Sequence, residues 1–170
     1  MIGGFDMADL VKIDFIEMPD IVVVGKSLDV DWTEVHRKNP IPDFWQKCFA
    51  EGIFKKLEEM KEYVYDPAYV GYMTMTSYTC GMMMKLGCPV PGGFNLCEIK
   101  PTKVAVGWVK GREHEVYMQA HSLTEKGLEE WGYMYNPDSK WSMEVYNCPR
   151  FTEKDEYGNV ILDYYIPVVK

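Results

Sequence analysis

The chain has 170 residues, 47% hydrophobic and 26% charged, which excludes a disordered or collagen-like polymer and fits one compact domain, or two small halves sharing a core. Its 18 basic against 26 acidic residues give a net charge of -8, which repels nucleic-acid phosphate and argues against direct nucleic-acid binding. Five cysteines, an odd number, and a start, MIGGFDMADL, without a basic or secretory-length apolar segment point to a reducing, cytoplasmic compartment, and no apolar run reaches the roughly 18 residues of a membrane span.

Residues 1–11 are expected to be a flexible N-terminus. From Asp14 to Val30 a loose alternation around Pro19 and Asp20, followed by the β-branched run Ile21 to Val24, predicts two short strands. Trp45, Phe49, Ile53, Leu57 and Met60 then recur at helical spacing, with Phe44 and Cys48 widening the stripe and Pro42 and Asp43 as start signals, so a helix is predicted over 43–60. Asp66-Pro67 stops it, and Val70 to Tyr78 alternates like a strand.

The stretch CGMMMKLGCPVPGG, from Cys80, reads as a Gly- and Pro-rich connection. Thiol and thioether groups suit soft metals, but the Cys80 to Cys88 spacing fits no zinc pattern and no histidine adjoins it. Met82 to Met84 are therefore expected to form a mobile apolar lid, and no metal or cofactor is expected. Phe94 to Ile99 and Thr102 to Val109 predict a hairpin around Lys100-Pro101. A second helical region runs from about Glu115 to Tyr135, with Leu128, Trp131 and Tyr135 on one side and Ser122 with Glu125 as a capping box for its second part. Ser142 to Tyr146 and Val160 to Val169 are closing strands, joined by the polar loop Thr152 to Asn159.

The order β-β-α-β occurs twice, and residues match across the copies. Met18-Pro19 through Val24-Gly25 parallels Lys100-Pro101 through Val106-Gly107, Leu57 to Met60 parallels Leu128 to Trp131, and Tyr65-Asp66-Pro67 parallels Tyr135-Asn136-Pro137. Repeat one covers about 12–80 and repeat two about 92–169, within a single domain of residues 12–170. Neither half can bury both faces of its strands alone, so a side-by-side arrangement with a ligand cleft along the shared axis is expected. The fold class is α+β: duplicated repeats forming an antiparallel, saddle-like sheet with two helices on one face and a central ligand cleft.

The run from Pro91-Gly92-Gly93-Phe94 through Glu98-Ile99-Lys100-Pro101 to Val106 resembles the GyrI-like small-molecule-binding domain family. Ile41-Pro42-Asp43-Phe44-Trp45 is similar to that family's helix start, and Tyr164-Tyr165-Ile166-Pro167-Val168 to its closing strand. The resemblance covers about Lys12 to Val169. It implies a domain that binds small, often cationic and aromatic molecules between its repeats, as in the effector-binding halves of AraC- and MerR-type multidrug regulators. Without room for a DNA-binding region, a stand-alone form is expected. The family also implies a pocket glutamate after a proline near the C-terminus. Strict spacing from Pro149 puts Thr152 there and a one-residue shift puts Glu153 there, while Glu144 is a second candidate.

A buried carboxylate facing an aromatic wall holds an organic cation through Coulomb attraction and cation-π contact, both stronger where water is excluded. The candidate wall is Tyr72, Trp108, Trp141 and Tyr146, each on or beside a predicted strand, with Glu144 and Glu153 as candidate carboxylates. No nucleophile elbow, zinc-protease helix or phosphate loop is present, so no catalytic residue is assigned. The expected function is therefore reversible binding of small hydrophobic or cationic ligands, as a sensor or sequestering protein. Two alternatives stay open. One is a hydrolase of reactive electrophiles with a pocket glutamate as base, as some relatives are. The other is a protein-interaction inhibitor of the gyrase-inhibitor type, which would give the chain a protein partner.

Overall fold

The computed structural model of the chain describes residues 7–170. Of the N-terminal segment expected to be flexible, residues 1–6 lie outside the described residues, and the first strand already begins at Asp9. The described residues form nine strands and three α-helices in an antiparallel α+β protein. They divide into two compact units, one of Met18–Pro101 and one of the chain before Met18 with Thr102–Lys170. The chain passes from one unit to the other at the two Pro-containing turns, between β1 (Asp9–Met18) and β2 (Ile21–Asp29), and between β5 (Asn95–Ile99) and β6 (Thr102–Gly111).

In the Met18–Pro101 unit the strand order is β5-β2-β4-β3, all antiparallel, with β3 spanning Val64–Met73 and β4 spanning Ser77–Lys85. Val22, Val24, Tyr78, Met82 and Met84 pack on Ile53, Phe54 and Leu57. The helix predicted over 43–60 is two helices, α1 (Ile41–Ala50) and α2 (Ile53–Glu59). The break is at Gly52, whose φ of 69° is left-handed and cannot continue a right-handed helix. An apolar stripe persists across such a break, which is why the spacing alone does not reveal it.

Three further expectations are corrected. Met82, Met83 and Met84 are no lid: they lie in β4, at most 1% exposed, paired with Val22, Val23 and Val24. A central strand buried on both faces has no polar alternation, and its unbranched methionines hide the β signal. The Val70 to Tyr78 run is correspondingly two strands, β3 and β4, joined by a tight turn in which Thr74 and Ser77 bond each other. Nor do β5 and β6 form a hairpin, since β5 pairs with β2 and β6 with β9 (Val160–Val169).

The second unit has the order β1-β6-β9-β8, with β8 at Ser142–Tyr146 and the short β7 (Met134–Tyr135) on β9. This is the same order, edge strand included, as in the first unit, so the internal duplication extends to strand pairing. Helix α3 (Glu113–Gly127) packs on β6 and β9. It is shorter than the predicted region: Leu128–Trp131 is a 3-10 turn that Gly132 ends at φ 72°, and Met134–Tyr135 is strand. Close approach of α3 requires Gly107, where an added Cβ would stand 2.3 Å from Thr124 Oγ1. No helix among the described residues is long and apolar enough to cross a membrane.

Candidate functional site

The two-residue period of β8 puts Ser142, Glu144 and Tyr146 on one face and Met143 and Val145 on the other. Glu144 stands opposite Tyr164 of β9, which stands opposite Gly107 of β6. Gly107 meets Thr124, so this is the face that α3 covers, and the helix brings Tyr117 and, one turn on, His121. The resulting site lies entirely within the second unit.

Glu144 is 8% exposed and accepts a hydrogen bond from Tyr146 Oη at 2.7 Å. The Tyr146 ring is edge-on to Phe151, with centroids 4.7 Å apart, and to Tyr117 at 6.5 Å. The Tyr117 and Phe151 rings are tilted at 41° with centroids 6.2 Å apart. On the other side Tyr164 Oη donates to Ser142 Oγ at 2.9 Å and lies 2.9 Å from His121 Nδ1. His121 Nε2 is 3.4 Å from Glu125, and the Tyr135 ring is 5.8 Å from the imidazole.

Burial pushes the Tyr164 hydroxyl well up from the ordinary tyrosine range, with Glu144, Tyr135 and Glu125 adding to the shift and the Ser142 hydrogen bond opposing it. Tyr117 is raised in the same way by burial, Glu113 and Glu144, and Tyr135 by burial and Glu125. These tyrosines stay neutral hydrogen-bond donors and ring walls around a carboxylate. A desolvated carboxylate among aromatic rings offers an organic cation charge attraction and cation-π contact.

The structure brings together only some of the residues singled out in the sequence. Glu144 and Tyr146 belong to the site. Trp141 is 7% exposed and immediately precedes β8, where its carbonyl accepts the Tyr135 hydroxyl at 2.7 Å. Trp108 stands opposite Asp163, so it faces away from Glu144; its ring carries Lys12 Nζ at 4.5 Å and Arg150 Cζ at 4.2 Å. Glu153 and Thr152 are exposed in a turn, where the Glu153 amide donates to the Pro149 carbonyl at 2.8 Å. Tyr72 is on β3 of the other unit, opposite Thr79 and 5% exposed.

Tyr117, His121, Ser142, Phe151 and Tyr164 were missed by sequence reasoning. The i, i+4 spacing of Tyr117 and His121 on a predicted helix, and the alternation on β9, were the available signals. Among the described residues no group of three or more histidine, cysteine or acidic side chains is arranged to hold a metal.

No protein-family model matches the chain, and no curated protein matches it. Solved structures do. A Staphylococcus aureus protein assigned to bacterial transcription regulation is 14% identical with a TM-score of 0.65, over 94% of this chain and 99% of that one. SAV2435 bound to tetraphenylphosphonium is 14% identical with a TM-score of 0.67, over 94% of each chain. The C-terminal domain of EcmrR is 17% identical at a TM-score of 0.54, over 94% of this chain and 98% of that domain. A hydrolase from Listeria innocua is 11% identical at 0.52, over 95% and 93%. At these identities the likeness is one of fold.

Proposed function

We propose that the chain is a GyrI-like ligand-binding protein that takes small hydrophobic organic cations at the Glu144 site, as a cytoplasmic sensor or sequestering protein. The observation that carries this reading is a carboxylate only 8% exposed, bonded by Tyr146 in a unit where Tyr117, Phe151 and Tyr164 supply aromatic faces. Support comes from the similarly folded protein bound to tetraphenylphosphonium and the similarly folded EcmrR domain. A cation with aromatic arms satisfies both parts of such a site, charge through Glu144 and apolar surface through the rings.

The test is calorimetric titration with tetraphenylphosphonium and with a neutral aromatic of similar size. Glu144→Gln is expected to weaken the cation at least about tenfold, as loss of a desolvated charge partner does, and to leave the neutral ligand little changed. Glu153→Gln, in its exposed turn, serves as the control. Equal cation affinity in wild type and Glu144→Gln defeats the proposal.

One observation favours a second reading. The Tyr146 to Glu144 hydrogen bond places an acid and a base side by side, as a hydrolase acting through one carboxylate and a water requires, and a similarly folded protein is described as a hydrolase. Mass analysis of mixtures with cyclopropane electrophiles separates the two: hydrolysis products lost in Glu144→Gln establish turnover, and intact compound establishes binding alone.

A further inference from the structure

We infer that Trp108 and Asp14 form a second cation site, separate from the Glu144 site and on the opposite face of the sheet, which takes compact alkylammonium ions and which the Lys12 side chain fills in the free protein. Strand alternation sets the place. Gly107 faces α3, so its neighbour Trp108 projects from the other face of β6, where it is half-buried. The strands on either side of β6 are β1 and β9, and a cation reaches the indole from each side. From β1 comes Lys12, whose Nζ lies 4.5 Å from the ring centroid. From the β9 side comes Arg150, with Cζ at 4.2 Å, bonded to Asp163. All of these residues belong to one compact unit.

The two cations are held differently. Arg150 Nε donates at 2.7 Å to Asp163, a carboxylate whose side chain is 3% exposed, so moving the guanidinium away would strand a buried anion. Lys12 pairs with Asp14 at 3.2 Å, and both of these side chains are 49% exposed. An exposed ion pair and an exposed cation-π contact are each worth less than about tenfold in population. Arg150 is therefore a fixed part of the platform, whereas Lys12 is exchangeable.

The chemistry that holds Lys12 defines what replaces it. An aromatic face attracts the charge and a carboxylate accepts its N–H groups, which is the pair of contacts an ammonium ligand needs. The ligand has to bring its charge as close to the indole as Lys12 Nζ comes. A primary alkylammonium does this. Tetraphenylphosphonium does not, because its phenyl groups enclose the charge. The two faces of the sheet thus select different cations, aromatic ones at Glu144 and compact ones at Trp108. Lys12 acts as a tethered competitor with a high effective concentration, so an alkylammonium has to reach a threshold before it occupies the wild-type site.

The experiment is titration with butylammonium, which reproduces the end of a lysine side chain, at constant ionic strength. The readout is the NMR signal of the Trp108 indole N–H, assigned by its loss in Trp108→Phe. Lys12→Ala is expected to show a saturable shift with a midpoint at least about tenfold below that of wild type, since the tethered competitor is gone. Asp14→Asn added to Lys12→Ala should weaken it about threefold or more, as loss of an exposed charge partner does. Lys12→Gln, which keeps bulk without charge, should also bind more tightly than wild type and stands in if Lys12→Ala folds poorly. Glu144→Gln added to Lys12→Ala should leave the shift unchanged. Absence of a saturable shift in both Lys12 variants, an affinity equal to that of wild type in both, or indifference to Asp14→Asn overturns the inference and leaves the Glu144 reading intact. Loss of the shift with Glu144→Gln overturns it too, by placing the ion at the other site.

Discussion

Tyr146 donates its hydroxyl hydrogen to Glu144 Oε1 at 2.7 Å from two positions further along the same strand, so the charge of the site and one ring of its wall come from a single three-residue segment. A hydrogen bond to a charged group contributes about 1.5–3 kcal/mol. Tyr146→Phe keeps the ring against Phe151 and removes only the donor. It is expected to lower tetraphenylphosphonium affinity about tenfold, less than Tyr146→Ala, which removes ring and donor together. Equal losses in the two variants would show that the hydroxyl carries the whole effect and the ring none, and an unchanged affinity in Tyr146→Phe would show that the donor does not matter.

The helix that roofs the site is set by a single absent methyl. A Cβ at Gly107 would stand 2.3 Å from Thr124 Oγ1 and 3.0 Å from Thr124 Cβ, too close for van der Waals contact and on a helix that cannot turn aside locally. Overpacking of this kind costs about 1–3 kcal/mol. Gly107→Ala should therefore lower the urea midpoint, and Thr124→Ala in the same chain should restore part of it. If the double variant is no more stable than Gly107→Ala alone, the contact is not the cause.

Why the sequence reveals the fold better than the site follows from the duplication. Gly25 and Gly107 match between the repeats, and each marks the same place in the strand order. From Gly25 the register runs through Gly81 to Val70, whereas from Gly107 it runs through Tyr164 to Glu144. Tyr72 and Tyr146 each lie two residues further on, so the aromatic position is common to both units while the carboxylate Glu144 and Tyr164 opposite it belong to one, their places being taken by Val70 and Gly81 in the other. Alternation and Pro and Gly spacing report strand order, which both repeats share. They do not report which face α3 covers, and Trp108 was placed in the wall although it alternates to the other face. Met82 to Met84 misled for a related reason, since a strand buried on both sides shows no period.

That other face has its own buried charge. Asp163, 2% exposed, accepts hydrogen bonds from Arg150 Nε at 2.7 Å and Asn147 Nδ2 at 2.8 Å, and it pairs with Arg150 Nη2 as well. The Arg150 guanidinium also lies over Trp108. The two ends differ in exposure, the side chain of Asp163 being 3% exposed and that of Arg150 29%. Removing the arginine strands a buried anion, whereas removing the acid leaves a cation that water can reach. Arg150→Ala is expected to cost about 3 kcal/mol, the lower end for one partner of a buried pair, and Asp163→Asn less. Denaturant unfolding of both variants checks the order, and the reverse order would overturn the stranded-anion argument.

Alkaline pH should loosen the same unit from the Tyr164 side. Burial, with Glu144, Tyr135 and Glu125 adding, raises the folded-state affinity of this hydroxyl for its proton. In the unfolded chain a tyrosine ionises near about pH 10. A group whose folded value is raised contributes stability that is fully present below the unfolded value and is lost as pH climbs toward the folded one, because the unfolded chain releases its proton first. Tyr117 shifts in the same direction for the same chief cause, but its residue is 45% exposed, so the 4% exposed Tyr164 should dominate. The expected outcome is a stability that falls with pH above about 10, with Tyr164 ionising only as the fold opens. Tyr164→Phe should be less stable than wild type at neutral pH, through loss of the bond to Ser142, and should show a shallower alkaline decline. Urea unfolding of both proteins from neutral to alkaline pH, followed alongside tyrosinate absorbance, measures this directly; parallel declines in the two proteins would assign the alkaline sensitivity to other tyrosines.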